Sequence, residues 1–273
     1  MSKLKFSAIA AGLAAILLSA PALAAEDGKM GAIKQSIKGH PLDELYSGYY
    51  YTTKETKAIQ DDDFGNPAMT WYDIGETNWS KVDGEAGKAC ANCHKVGDVK
   101  GVAARYPVYD EKLKKLVNVQ DRINNCRKVN MKAKPWKYDS SDMLGMAIFV
   151  KNQSRGMKVS PKIDGPAAAY FEKGKKFYYQ RRGQLDMSCA HCHEKYYGQQ
   201  IRMNTLTQGQ SNGFPVYRLK WQKPGSLHRR FRGCNKQVRA TPFKSGSEEY
   251  LALELYLAWR GSGLTVETPA VRN

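Results

Sequence analysis

Two Cys-x-x-Cys-His motifs, Cys90-Ala91-Asn92-Cys93-His94 and Cys189-Ala190-His191-Cys192-His193, constrain what this chain can fold into. Each sets two thiols at the spacing that lets them add to the vinyl groups of a haem, with the next residue's imidazole beneath the iron. Six cysteines in an exported chain would ordinarily suggest three disulfides. Here four of them fall into the two motifs, and the other two, Cys126 and Cys234, stand singly. Two covalently bound haem c groups are therefore expected, with His94 and His193 each supplying one iron ligand.

Export is read from the first 24 residues. Lys3 and Lys5 precede an apolar run over residues 9–18, and Ala22-Leu23-Ala24 offers a small-residue cleavage site, the pattern of a signal peptide. The apolar run is too short to span a bilayer, and nothing later is apolar enough to do so. A periplasmic protein with no membrane span is expected. The formal charge is +17, of which Lys3 and Lys5 account for two, leaving +15 on the mature chain. A basic surface suits an acidic partner or an anionic substrate. The lysines are dispersed and the protein is exported, so nucleic acid is not an expected partner.

The mature chain contains an internal duplication. Arg105-Tyr106-Pro107-Val108-Tyr109 parallels Gly213-Phe214-Pro215-Val216-Tyr217 at an offset of 108, and Cys126 and Cys234 fall at the same offset. Residues 142–159 parallel residues 249–266 at an offset of 107, both with helical apolar spacing followed by glycine. The haem motifs lie 99 apart, so the second copy carries about nine extra residues after its haem. Residues 167–182 predict a helix entering the second motif, with Tyr170, Phe171, Phe177 and Tyr178 on or near one face. The expected fold is mainly α. It comprises two tandem class I cytochrome c domains, residues 81–160 and 161–273, preceded by an extension over residues 25–80. Each domain is expected to have an entering helix or turn, an irregular loop region and a closing helix. The junction is placed at residues 159–166, where Pro161, Gly165 and Pro166 cluster.

Candidates for the sixth ligand on each iron are few. His191 lies inside its own attachment motif and cannot reach that iron, while His40 and His228 lie outside both motifs. Met157 lies 63 residues after His94, but its counterpart in the second copy is Leu264, which cannot bind iron. Cys126 and Cys234 occupy equivalent positions in the repeat. A disulfide between them would need Cα atoms within about 7 Å, which tandem domains do not favour. Each is better read as the thiolate ligand of its own haem, a low-potential arrangement. Cys234 sits in His228-Arg229-Arg230-Phe231-Arg232-Gly233-Cys234-Asn235-Lys236, where nearby cations favour the thiolate and could bind an oxyanion or pair with haem propionates. The second haem is thus the expected chemical site.

These residues resemble the family of two-haem A subunits of the Sox thiosulfate-oxidising system. Besides the haem motifs and both single cysteines, Ser47-Gly48, residues 55–69 (ETKAIQDDDFGNPAM) and Arg230-Phe231-Arg232-Gly233-Cys234-Asn235 look like family signatures. The resemblance implies an L-cysteine S-thiosulfotransferase that acts with a one-haem cytochrome X subunit. Thiosulfate is joined oxidatively to a cysteine of a sulfur-carrier protein, and two electrons leave through haem. It implies that Cys234 is an axial ligand found as a persulfide, that Arg230 contacts substrate, and that Cys126 ligates the other iron. The rival readings are an electron-transfer dihaem cytochrome c, which leaves the arginine cluster without a purpose, and a dihaem thiosulfate dehydrogenase forming tetrathionate.

Overall fold

The computed structural model describes residues 37–273 and the backbone of a short strand at 32–33; the expected signal peptide lies outside the described residues. In chain order the elements are strands β1 (Ala32–Ile33) and β2 (Leu45–Tyr46), helices α1 (Lys54–Asp61), α2 (Met69–Ser80) and α3 (Val102–Arg105), hairpin β3 (Val108–Asp110) and β4 (Lys115–Val117), and helices α4 (Val119–Cys126), α5 (Ser141–Asn152) and α6 (Ala168–Tyr179). Then come hairpin β5 (Gln200–Ile201) and β6 (Asn204–Thr205), hairpin β7 (Val216–Arg218) and β8 (Lys223–Gly225), helices α7 (Leu227–Gln237) and α8 (Glu248–Arg260), and strand β9 (Ala270–Arg272). The chain is mainly helical, as expected. Among the described residues no helix is long and apolar enough to cross a membrane.

The duplication is written in three dimensions. Helix α2 crosses α5 in the first repeat as α6 crosses α8 in the second. Both crossings need small residues: a Cβ on Gly75 would lie 2.2 Å from the Gly145 carbonyl oxygen, and one on Gly174 only 2.0 Å from that of Ala252. Gly75 and Gly174 stand 99 residues apart, as the haem motifs do. The helix entering the first motif is therefore α2, which falls within the stretch 25–80 expected as an extension. Helix α6 also ends three residues short of the expected 182, because Gln180 turns to an extended conformation and Arg182 bridges to Met187 instead.

The stretch between haem motif and closing helix is not an irregular loop, as expected from sequence, but a hairpin followed by a helix. Hairpin β3–β4 pairs Val108 with Val117, and its counterpart β7–β8 pairs Val216 with Gly225. Each hairpin runs into a capped helix. The Asn118 side chain accepts from the Asp121 amide to start α4, and Ser226 accepts from the Arg229 amide to start α7. The closing helices are capped alike by Ser140 and Ser247. These caps are side chains at matching places in the repeat, which is why both copies fold the same way locally.

Two apolar cores result. Trp79, Val119, Met146, Phe149 and Val150 form the first. Phe171, Phe177, Tyr178, Phe231, Tyr250, Leu253 and Tyr256 are prominent in the second, which also takes in Leu116 of the first repeat. At the seam the Asn118 side chain donates through Nδ2 to Glu254 at 2.8 Å and the Ser226 backbone amide to Asp139 at 3.0 Å. Burial alone would raise the Glu254 carboxyl, but His228, Lys151 and Asn118 hold it below its ordinary range. Strand β9 adds parallel to β7, and the segment before α2 clasps it: the Val271 amide donates to Gln60 and the Asn66 side chain to the Pro269 carbonyl.

Candidate functional site

The second attachment motif lies just beyond α6, with His191–Lys195 forming a single wide π-type turn. Its thiols carry no disulfide. Burial pushes Cys189 up to about 12, with Cys234 the next largest influence, and Cys192 is raised by the same two causes. Cys234 therefore lies within electrostatic reach of both attachment thiols. His193 donates through Nδ1 to the Thr207 carbonyl at 2.7 Å, an arrangement that requires the proton on Nδ1 and leaves the Nε2 lone pair for iron. Burial lowers its pKa to about 4, so the ring is neutral at neutral pH. The loop covering it must come close: Gly209 has φ +75°, and a Cβ there would lie 2.9 Å from the imidazole. Unpaired thiols at the right spacing, a neutral imidazole with Nε2 free and a third thiol within electrostatic reach of them fit a covalently attached haem c.

Helix α7 carries Arg230 and Cys234 four residues apart, hence on one face. The structure sorts the arginine cluster around them. Arg229 lies over the Trp221 ring at 4.4 Å, Arg232 is exposed, and Arg230 is half-buried. Arg230 also lowers the pKa of His193, which sets its charge near that imidazole. Among the described residues Arg230 forms no ion pair.

In the first repeat Cys126 ends α4, and a π-type turn at Arg127–Met131 continues the helix. Burial raises Cys90, with Cys126 the next cause, and burial likewise raises Cys126, which also feels Cys93. The attachment cysteines and the single cysteine of each repeat are thus neighbours. Arg122, four residues before Cys126, is bound differently from Arg230: it forms an ion pair with Asp110 and donates to the Tyr106 hydroxyl at 3.2 Å. His94 is exposed, with its ring 6.3 Å from that of Trp79.

The remaining candidates have other partners. His40 uses Nδ1 on Leu42 and Nε2 on the Arg260 carbonyl. His191 binds Ser188. His228 is fully buried, 3.0 Å from Glu254 and stacked on Tyr138. Met157 packs beside Gly101 in the loop after His94, and its carbonyl accepts from Val266. Sequence reasoning missed Thr207 and Gly209, which hold His193. The signal for Gly209 was its counterpart Gly101, 108 residues earlier, also at positive φ. It also missed Arg218, which feels the charges of Arg230 and Cys234.

Comparison with known proteins agrees with this geometry. Residues 74–159 match a family described as SoxA/TsdA, cytochrome c domain. The L-cysteine S-thiosulfotransferase subunit SoxA of Rhodovulum sulfidophilum is 48% identical over 234 residues, covering 85% of this chain and 82% of that protein. That of Pseudaminobacter salicylatoxidans is 44% identical over 239 residues, covering 86% and 84%. The crystal structure of SoxXA from P. pantotrophus superposes with a TM-score of 0.83 at 45% identity, covering 85% of this chain and 89% of that one.

Proposed function

The chain belongs to the SoxA family of L-cysteine S-thiosulfotransferase subunits, and from that premise we propose that its second domain carries the reaction at Cys234 and Arg230. The subunit carries covalently bound haem c through a cytochrome c domain. On this reading there are two such groups, attached at Cys90/Cys93 and Cys189/Cys192. The first would be held at its iron by His94 and Cys126, and the second by His193 and Cys234. The first domain begins at α2. The mature protein is periplasmic and works with a one-haem X subunit, in keeping with the similarity to SoxXA.

The reaction joins thiosulfate to a thiolate of the carrier protein. One sulfur–sulfur bond forms between the carrier cysteine and the sulfane sulfur, the product is a cysteine S-thiosulfonate, and two electrons are released. Haem supplies the acceptor for those electrons. The protein's own contribution is electrostatic. Two anions must meet, and a fixed guanidinium beside them lowers that barrier more than mobile water would. Cys234, as a persulfide, presents an outer sulfur beyond the ligating one.

One observation carries the choice of domain. The two repeats hold equivalent arginines, but Arg122 is neutralised by Asp110 whereas Arg230 is left without a counter-ion among the described residues. A free guanidinium one turn from the single cysteine is the feature an anionic substrate needs. The test is conjugation of thiosulfate to carrier by Cys234→Met and Arg230→Ala proteins, each with X subunit and electron acceptor. Loss of conjugation in both, with Cys126→Met retaining most of it, supports the reading. Near-normal conjugation by Cys234→Met would leave that cysteine as a ligand only and sink the catalytic role.

A further inference from the structure

The repeat makes each domain a control for the other, and the comparison picks out a residue beside the proposed site. Offset by 108, Asp110 corresponds to Arg218, Arg122 to Arg230, Tyr106 to Phe214 and Cys126 to Cys234. The backbone around the two positions is the same: Lys114 and Gln222 both take positive φ in the hairpin turns that follow. The side chains are opposite in charge. In the first domain Asp110 neutralises Arg122 and also accepts from the Lys112 and Leu113 amides, tying its own turn together. In the second domain the carboxylate is a guanidinium and the tyrosine hydroxyl is a phenyl ring, so Arg230 loses both of its partners.

Such an exchange is unfavourable for folding alone. It removes two turn hydrogen bonds and an ion pair, and it brings two like charges together. Arg218 Nε is buried without a hydrogen-bond partner, and the guanidinium lies 5.5 Å from the Trp221 ring, which steadies it without neutralising it. Strand β7, held between β8 and β9, presents Arg218 from a sheet, while α7 presents Arg230 from a helix. Burial and the neighbouring Arg230 and Arg272 hold Arg218 down to about 10, still charged at neutral pH, and Cys234 is close enough to act in the opposite direction. Preorganised cations without a counter-ion are a receptor for an anion, and a local rule broken in one repeat only points to use in that repeat.

We propose that Arg218 is the second arm of a two-guanidinium clamp which, with Arg230, holds the dianion thiosulfate against Cys234. The inference rests on the assignment of the substrate site to Arg230 and Cys234. Two arms explain why the site takes a dianion: one guanidinium meets each negative charge, and each can present paired N–H donors to sulfonate oxygens. Arg218 touches substrate in this arrangement and determines specificity for doubly charged over singly charged anions.

The test uses the haem-loaded chain with its X subunit and measures thiosulfate binding by calorimetry in the absence of carrier, with the visible spectrum and reduction potential of the second haem recorded alongside. Arg218→Gln, which keeps bulk over Trp221, is expected to raise the thiosulfate dissociation constant at least tenfold and to leave spectrum and potential unchanged. Arg218→Asp rebuilds the ion pair of the first domain inside the second and is expected to weaken binding further. Arg218→Lys should lie between, since it keeps charge but loses the fork. A dissociation constant within twofold of the parent for Arg218→Gln, with Arg230→Ala still weakened tenfold, overturns the clamp and leaves the Arg230 assignment standing. No effect of either substitution overturns that assignment and the clamp with it. A shifted potential with unchanged thiosulfate binding assigns Arg218 to a haem propionate and also overturns the proposal.

Discussion

Lys158 and Thr265 are counterparts in the two repeats, and they face each other in an antiparallel bridge. The hydrogen bonds around them come in exchanged pairs. The Val159 amide donates to Leu264 at 2.8 Å and the Val266 amide to Met157 at 2.9 Å, while Gly156 donates to Val266 and Gly263 to Val159. Each donor and acceptor swaps with its own counterpart, so the repeats meet about a local two-fold axis. Val159, Val266 and Ala104 close the apolar contact beneath the bridge.

That symmetry predicts equal sensitivity on the two sides. Val159→Pro removes one bridging amide and Val266→Pro removes its mate, each losing a hydrogen bond and straining the extended segment. Each should cost about 2 kcal/mol. Differential scanning calorimetry of the haem-loaded protein should show the domains melting as more separate transitions in both variants. An effect confined to one of them would mean the axis is not energetically shared.

At the crossing of α6 and α8 there is no room for a methyl group. Gly174→Ala places a Cβ 2.0 Å from the Ala252 carbonyl oxygen, so the helices must part. The expected loss is on the order of 3 kcal/mol, against a small gain from helix propensity. Denaturant midpoints measure it; a variant as stable as the parent would show that the crossing can relax freely.

Asp121 sets a pH dependence. Burial, then Glu254, raises its carboxyl from 3.8 to about 6. The folded chain holds this proton more tightly than the unfolded chain, so stability falls as pH rises through that interval and the penalty is complete above it. The shift corresponds to ~3 kcal/mol. Asp121→Asn should therefore be more stable than the parent at pH 7 by up to that amount and equal to it below pH 4. Urea unfolding at the two pH values decides it.

The charge of +15 left on the mature chain, the +17 of the full chain less Lys3 and Lys5, should make encounters with an acidic carrier fast and salt-sensitive. Stopped-flow association rates are expected to fall at least tenfold between low and high salt. Rates independent of salt would confine the charge to solubility.

Haem stoichiometry has a direct readout. Denatured, purified mature chain should carry the mass of two haems, beginning at Ala25 or nearby. Mutating both Cys90 and Cys93 should remove one haem, and mutating both Cys189 and Cys192 the other. A parent mass with a single haem would contradict the paired motifs.

Local pattern alone determined much of this protein. Cys-x-x-Cys-His spacing, the glycine that follows each closing helix and helical apolar periodicity act over a few residues, so the haem motifs, the closing helices and the duplication were legible in the chain. Tertiary structure decided what depends on residues distant in sequence. That α2 is an entering helix follows from where Gly75 meets Gly145. That His228 serves the core follows from its contact with Glu254, and that Arg229 stacks while Arg230 stays free follows from the position of Trp221 on the adjoining hairpin. Arg218 illustrates the division best. Its identity was always in the sequence, but its meaning appears only when β7 and α7 bring it within electrostatic reach of Arg230 and Cys234, because charge acts through space and not along the chain.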